Sequence, residues 1–234
     1  MPATRKITST KANGKVSQAE VQSVLAALKR LGSARFREEM STRYGIVTKD
    51  AYGVRMRDMQ KVAKKLGRNH ALALALWDTG NYEARTVAAF VAEPKRLTPA
   101  LMDRWCRDFD NWAICDTVCF KLFDQSPHAL GRVKSWAERR DEFQKRAAFA
   151  LLACVPLHDD NPSDETIADC LPLIQRAAAD ERNFVKKGVS WALRSVATRN
   201  AKLKAAAIGL ARRLAASPEP APRWVGKDVL RALK

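Results

Sequence analysis

The amino-acid sequence predicts an all-α protein. Three observations carry that expectation. Apolar residues recur with the 3.6-residue period of an amphipathic helix in nearly every segment after residue 15. No run alternates in β-branched residues as a half-buried strand would. Helix boundaries are also well marked, with caps at one end and glycine or proline at the other.

Taken in order, the first helix is expected at 18–31, where Ser17-Gln18-Ala19-Glu20 has the capping-box pattern and Gly32 ends the run. Helices follow at 34–43, 55–66 (closed by Gly67), 70–78 (closed by Gly80) and 82–93. Thr98-Pro99 and Ser126-Pro127 each place a capping side chain before a proline suited to a first helical turn, opening helices at 99–109 and 127–138 around a third at 111–124. The periodicity continues through 141–157, 164–179, 181–199 and 202–216. The run Ser217-Pro218-Glu219-Pro220-Ala221-Pro222 breaks the chain before a last helix at 222–233. Short helices with short links build either a globular bundle or a stack of helical pairs. The segments beginning at Glu83, Gln144 and Val185 share a basic-then-small-apolar texture. Arg85 to Arg146 is 61 residues and Arg146 to Lys187 is 41, in the range of HEAT-like helical pairs.

The 234 residues carry 42 basic and 25 acidic side chains, a net charge of +17 at 26.1 kDa and a pI near 10.1. A surplus of this size favours a polyanion through counterion release, with nucleic acid the first candidate. Arg5, Lys6, Lys11 and Lys15 form a basic, acid-free arm over 1–15 that is expected to be disordered, leaving +13 on a single domain at 16–234. No run of about 18 apolar residues suggests a membrane span, and the start has no apolar signal-peptide centre, so a cytoplasmic location is expected, on the nucleoid when DNA is bound. Cys106, Cys115, Cys119, Cys154 and Cys170 show no CxxC spacing and are read as small buried hydrophobes in a reducing compartment, with no metal expected. His70, His128 and His158 fall near helix ends without a convergent partner. No GxxxxGK[ST] loop, GxSxG elbow or HExxH helix is present.

The segment most suggestive of chemistry is Asp110-Asn111-Trp112-Ala113-Ile114-Cys115-Asp116. As a helix it puts Trp112 and Asp116 one turn apart on one face, a ring beside the acid of an otherwise apolar stretch. Such a pair suits a place where a cation is read or made. Further on, Trp191 stands four residues after Lys187 and three before Arg194, an aromatic between two cations on one helical face. Trp77, Trp105, Trp136 and Trp224 lie at apolar helical spacing and are assigned to packing, while Tyr44, Tyr52 and Tyr82 receive no role.

The Trp-x-x-x-Asp of Trp112 and Asp116, the Gln-x-Arg-Ala-Ala of 144–148 and the Lys-Lys-x-x-x-Trp-x-Leu-Arg of 186–194 occur in one order, and together they resemble the AlkD-like DNA alkylation repair family, colinearly from about 34 to 233. The resemblance implies a HEAT-like helical-repeat solenoid, a curved stack of antiparallel helix pairs. It also implies a monomeric glycosylase that needs no cofactor and removes cationic N3- or N7-alkylated purines from double-stranded DNA. Carried over by motif, Trp112, Asp116, Arg146 and Trp191 would line the DNA-facing cleft. Members that excise bases also have a tyrosine near the N-terminus, where Phe36 stands here without the hydroxyl. Lys145, Lys186, Lys187, Arg194 and Arg223 join Phe36 as expected backbone contacts, which position DNA without reading its sequence.

The chemistry is consistent with one acid. Breaking an N-glycosidic bond builds an oxocarbenium-like charge on the sugar, which Asp116 would stabilise while orienting water. An already cationic base leaves without protonation. In this reading Trp112 and Trp191 contact the lesion region and Arg146 holds a phosphate or, alternatively, pairs with Asp116. Two other functions stay open at this point: a non-catalytic binder of damaged or branched DNA using the same face, and a helical scaffold for an acidic protein.

Overall fold

The protein is described by a computed structural model covering residues 16–158 and 163–234. The basic arm at 1–15 and the side chain of His158 lie outside the described residues. Fourteen α-helices are present among those residues: α1 (Gln18–Leu31), α2 (Ala34–Thr42), α3 (Met56–Leu66), α4 (His70–Asp78), α5 (Tyr82–Val91), α6 (Pro99–Arg107), α7 (Trp112–Lys121), α8 (Ala129–Trp136), α9 (Glu142–His158), α10 (Asp164–Ala168), α11 (Leu171–Ala177), α12 (Asn183–Val196), α13 (Ala201–Ala215) and α14 (Pro220–Ala232).

Most boundaries follow from the caps read in the sequence. Ser17 and Glu20 close their capping box reciprocally, the Thr98 hydroxyl accepts from the Leu101 amide, and the Gly32 and Gly67 amides bond back into α1 and α3. Three details differ. The single helix expected at 164–179 is two, because Pro172 in the first turn of α11 has no N–H to continue the ladder and its ring would clash with the preceding turn. Ser126 and Pro127 form a turn rather than a helix start, and α8 begins two residues later at Ala129. At the C-terminus the proline run does not delay α14, which starts at Pro220 with prolines tolerated in its first turn.

The helices stack in two rows. In one, α3, α5, α7, α9, α12 and α14 pack side by side in that order; α4, α8, α11 and α13 back onto α5, α9, α12 and α14. Buried apolar side chains from Val21 to Val229 form one contiguous cluster between them. Its centre is aromatic: Trp77 and Trp105 stack at 4.0 Å, and Phe123 contacts both Trp105 and Trp136. The indole N–H groups of Trp77 and Trp136 donate to Asp108 and Asp103. These three tryptophans are buried packing residues, whereas Trp224 is half-buried with Lys186 over its face. All five cysteines are buried, and burial pushes the Cys106, Cys119 and Cys154 thiols well up. Among the described residues no helix is long and apolar enough to cross a membrane.

The last pair of helices depends on one glycine. A Cβ on Gly226 would sit 2.3 Å from the Ala215 nitrogen and 2.5 Å from the Ala211 oxygen, so α13 and α14 touch backbone to backbone there. Gly226→Ala is expected to force the helices apart and cost about 1–3 kcal/mol, read as a lower urea midpoint. An unchanged midpoint would mean that this contact gives way freely.

Candidate active site and DNA-facing cleft

The site is built from the start of α7. The buried Asn111 side chain accepts from the Ala113 and Ile114 amides, which sets Trp112 at the first helical position and Asp116 one turn on. Both line a hollow of about 350 Å³ together with Phe36, Met40, Tyr44, Val54, Arg55 and Tyr82. A second hollow of about 220 Å³ is lined by Gln60, Phe90, Phe120, Lys121 and Trp191. The two share Met56, Asp116 and Thr117. Side chains from α2, α3, α5, α7 and α12 thus converge on one place, and Asp116 lies in the wall that the two chambers share.

Arg146, from the adjacent α9, fixes that acid. Its Nε and Nη2 donate to the two Asp116 carboxylate oxygens at 2.8 and 2.7 Å, and its Nη1 donates to the Phe184 carbonyl at 2.6 Å. The pair is bidentate, the most directional form of this contact. Burial raises the Asp116 carboxyl above its ordinary value, and the Arg146 guanidinium opposes that shift. Arg146 is only 6% exposed and three of its N–H groups are engaged inside the protein, so it faces inward rather than toward a phosphate.

The near wall of the first hollow is an irregular strap, residues 43–55, tied down along its length. Trp112 Nε1 donates to the Tyr44 carbonyl at 2.9 Å, which orients the indole. The Thr48 hydroxyl donates to Asp110, and the Tyr82 amide to the Asp50 carbonyl. The principal clasp is Glu83, which is fully buried and accepts from three consecutive amides, Tyr52, Gly53 and Val54, at 2.9, 2.8 and 3.1 Å. Gly53 permits it: φ is +79°, and a Cβ would lie 2.3 Å from the Ser33 oxygen. Glu83→Gln exchanges one acceptor oxygen for an NH2 that faces amide donors. We expect a loss of about 2 kcal/mol and faster hydrogen exchange at 52–54; unchanged exchange there would show that other ties suffice.

Of the residues singled out by sequence, the structure brings Trp112, Asp116, Arg146, Trp191 and Phe36 together. The outlying cations are placed variously. Lys187 is exposed, while Lys186 rests over Trp224 at 5.3 Å. Lys145 pairs with Asp180 at 3.1 Å. Arg194 bonds back to the Ser190 carbonyl, and Arg223 to the carbonyls of Ser217 and Pro218. Tyr44, Arg55, Glu83, Thr117 and Lys121 were not singled out. Tyr44 meets Trp112 across 68 residues of chain, and no periodicity runs through the strap that could have announced it.

A sequence profile described as DNA alkylation repair enzyme matches residues 24–223, most of the chain and every residue that lines the two hollows. The chain belongs to the DNA alkylation repair enzyme family. No curated protein sequence matches it significantly. Among solved structures it is similar to one described as a new family of proteins related to the HEAT-like repeat DNA glycosylases with affinity for branched DNA structures. The TM-score is 0.74 and the identity 22%, with 91% of this chain and 94% of that one covered. At that identity the likeness establishes the HEAT-like repeat fold. A weaker likeness, TM-score 0.42 at 15% identity over 94% of this chain and 88% of the other, is to a designed armadillo repeat protein in complex with a (KR)4 peptide. Among the described residues no group of His, Cys, Asp or Glu side chains stands together as a metal site would.

Proposed function

We propose that this protein is a DNA glycosylase that holds duplex DNA against the row of helices bearing Asp116 and hydrolyses the N-glycosidic bond of cationic N3- or N7-alkylated purines, acting on chromosomal DNA in the cytoplasm. The observation that carries the reading is Asp116, a carboxylate locked by Arg146 in the wall between two chambers, one bearing Trp112 and the other Trp191. A fixed, desolvated negative charge stabilises an oxocarbenium-like sugar without having to reorganise as charge develops. The oxygens spend one lone pair each on Arg146 and retain the other for water or the sugar. Trp112 and Trp191 attract the cationic nucleotide through their π faces. The role of Arg146 is to orient the acid.

The second reading is a non-catalytic binder of damaged or branched DNA. It is favoured by Phe36, which has no hydroxyl to offer a phosphate, and by the affinity for branched DNA described for the structural neighbour. One experiment separates the two: single-turnover release of base from a duplex containing one 7-methylguanine, with binding measured alongside. Release supports the glycosylase. Tight binding without release sinks it in favour of the second reading.

A further inference from the structure

Two cations of the cleft differ from the rest. The Arg55 guanidinium lies 4.5 Å over the centre of the Phe36 ring, and the Lys121 ammonium lies 4.3 Å over that of Phe120. Neither forms an ion pair among the described residues. By contrast Arg146 and Lys145 are neutralised by Asp116 and Asp180. Arg55 lines the first chamber and Lys121 the second, with Asp116 in the wall they share.

We propose that Arg55 and Lys121 are the backbone-phosphate contacts that bracket the nucleotide whose sugar faces Asp116, and that Phe36 and Phe120 are their platforms. The proposal rests on the DNA-cleft reading above. An aromatic face attracts a cation through its quadrupole but leaves the full charge available, whereas a carboxylate partner would cancel the charge and compete with phosphate. The ring also orders a long side chain before DNA arrives, which removes part of the entropy cost of binding. Arg55 is fixed at its root as well, because Glu83 holds the three amides that precede it. A guanidinium stacked on a ring keeps its edge N–H donors free, the geometry that meets phosphate oxygens. Lys186 over Trp224 continues the same device between α12 and α14. Phe36 therefore serves DNA binding through Arg55, and a hydroxyl on its ring is not needed for that role.

The test is fluorescence anisotropy of a labelled duplex with one tetrahydrofuran abasic-site analogue, titrated over a series of NaCl concentrations, on variants first shown by thermal melting to be folded. Arg55→Met and Lys121→Met are each expected to flatten the dependence of log affinity on log salt by about one unit, and the double variant by about two. Phe36→Leu should weaken binding with the slope unchanged, since the charge remains, and should cost nothing further when added to Arg55→Met. Lys204→Met, on the exposed face of α13, should keep the wild-type slope. Wild-type slopes for both Arg55→Met and Lys121→Met in a protein that binds well, or equal flattening by Lys204→Met, would overturn the proposal and leave the cleft reading standing. No binding by the wild type would overturn both.

Discussion

Asp116→Asn is expected to leave duplex binding near that of the wild type while lowering the single-turnover release of 7-methylguanine by roughly 100-fold or more. Asparagine fills the same space and can still accept from Arg146, but it carries no charge to set against the developing sugar cation. A rate loss without a binding loss is the signature of an interaction made only in the transition state. The pH dependence gives a second check. Burial raises the Asp116 carboxyl above 3.8, and the chemistry needs the carboxylate, so the rate should fall as pH drops through that raised value. The acid limb should therefore lie above the ordinary carboxylate range. For stability the sign is opposite. A folded-state value above the unfolded one means that ionised Asp116 costs stability at neutral pH, a cost relieved as pH falls through the folded value. Undiminished release by Asp116→Asn would remove Asp116 from the mechanism.

Arg146→Met is expected to be the most destabilising change in the cleft. Methionine replaces much of the apolar stem, but the Asp116 carboxylate, with its side chain about 20% exposed, loses both charge-assisted hydrogen bonds, and the Phe184 carbonyl loses a donor. Stranding one member of a largely buried pair costs about 3–5 kcal/mol. The acid limb of any remaining activity should move further up, because the cation that opposed the burial shift is gone. The diagnostic variant is the double one. Asp116→Asn together with Arg146→Met removes the stranded charge and should recover part of the stability lost by Arg146→Met alone, a coupling of about 0.5–3 kcal/mol in a urea double-mutant cycle. Additive losses would show that the two residues act independently and that Arg146 does not hold the acid.

Much of the helical architecture is legible in the amino-acid sequence. The period of the apolar residues and the Ser17, Thr98 and Gly67 caps report local backbone preference, which the surroundings seldom overturn when cap and period agree. The departures are local too: Pro172 divides α10 from α11 by the same loss of an N–H that marks any proline. The row to which a helix belongs is less legible, because nothing in the 3.6-residue period says which neighbour its apolar face will meet. Trp112, Asp116, Arg146 and Trp191 stand out through three short motifs. Their convergence comes from the packing of α7, α9 and α12.

The helices, the basic balance that suits a polyanion, and the pairing of a ring with an acid on one face of α7 can all be read from residue order alone. It took the packed fold to show that Arg146 turns inward to Asp116, that Glu83 clasps a strap 30 residues away, and that Arg55 and Lys121 stand over aromatic rings with no ion pair among the described residues. The reason is physical. Helix formation depends on neighbours within one turn, whereas the state of a charge depends on whatever side chain the fold brings within a few ångströms, and local periodicity does not encode that partner.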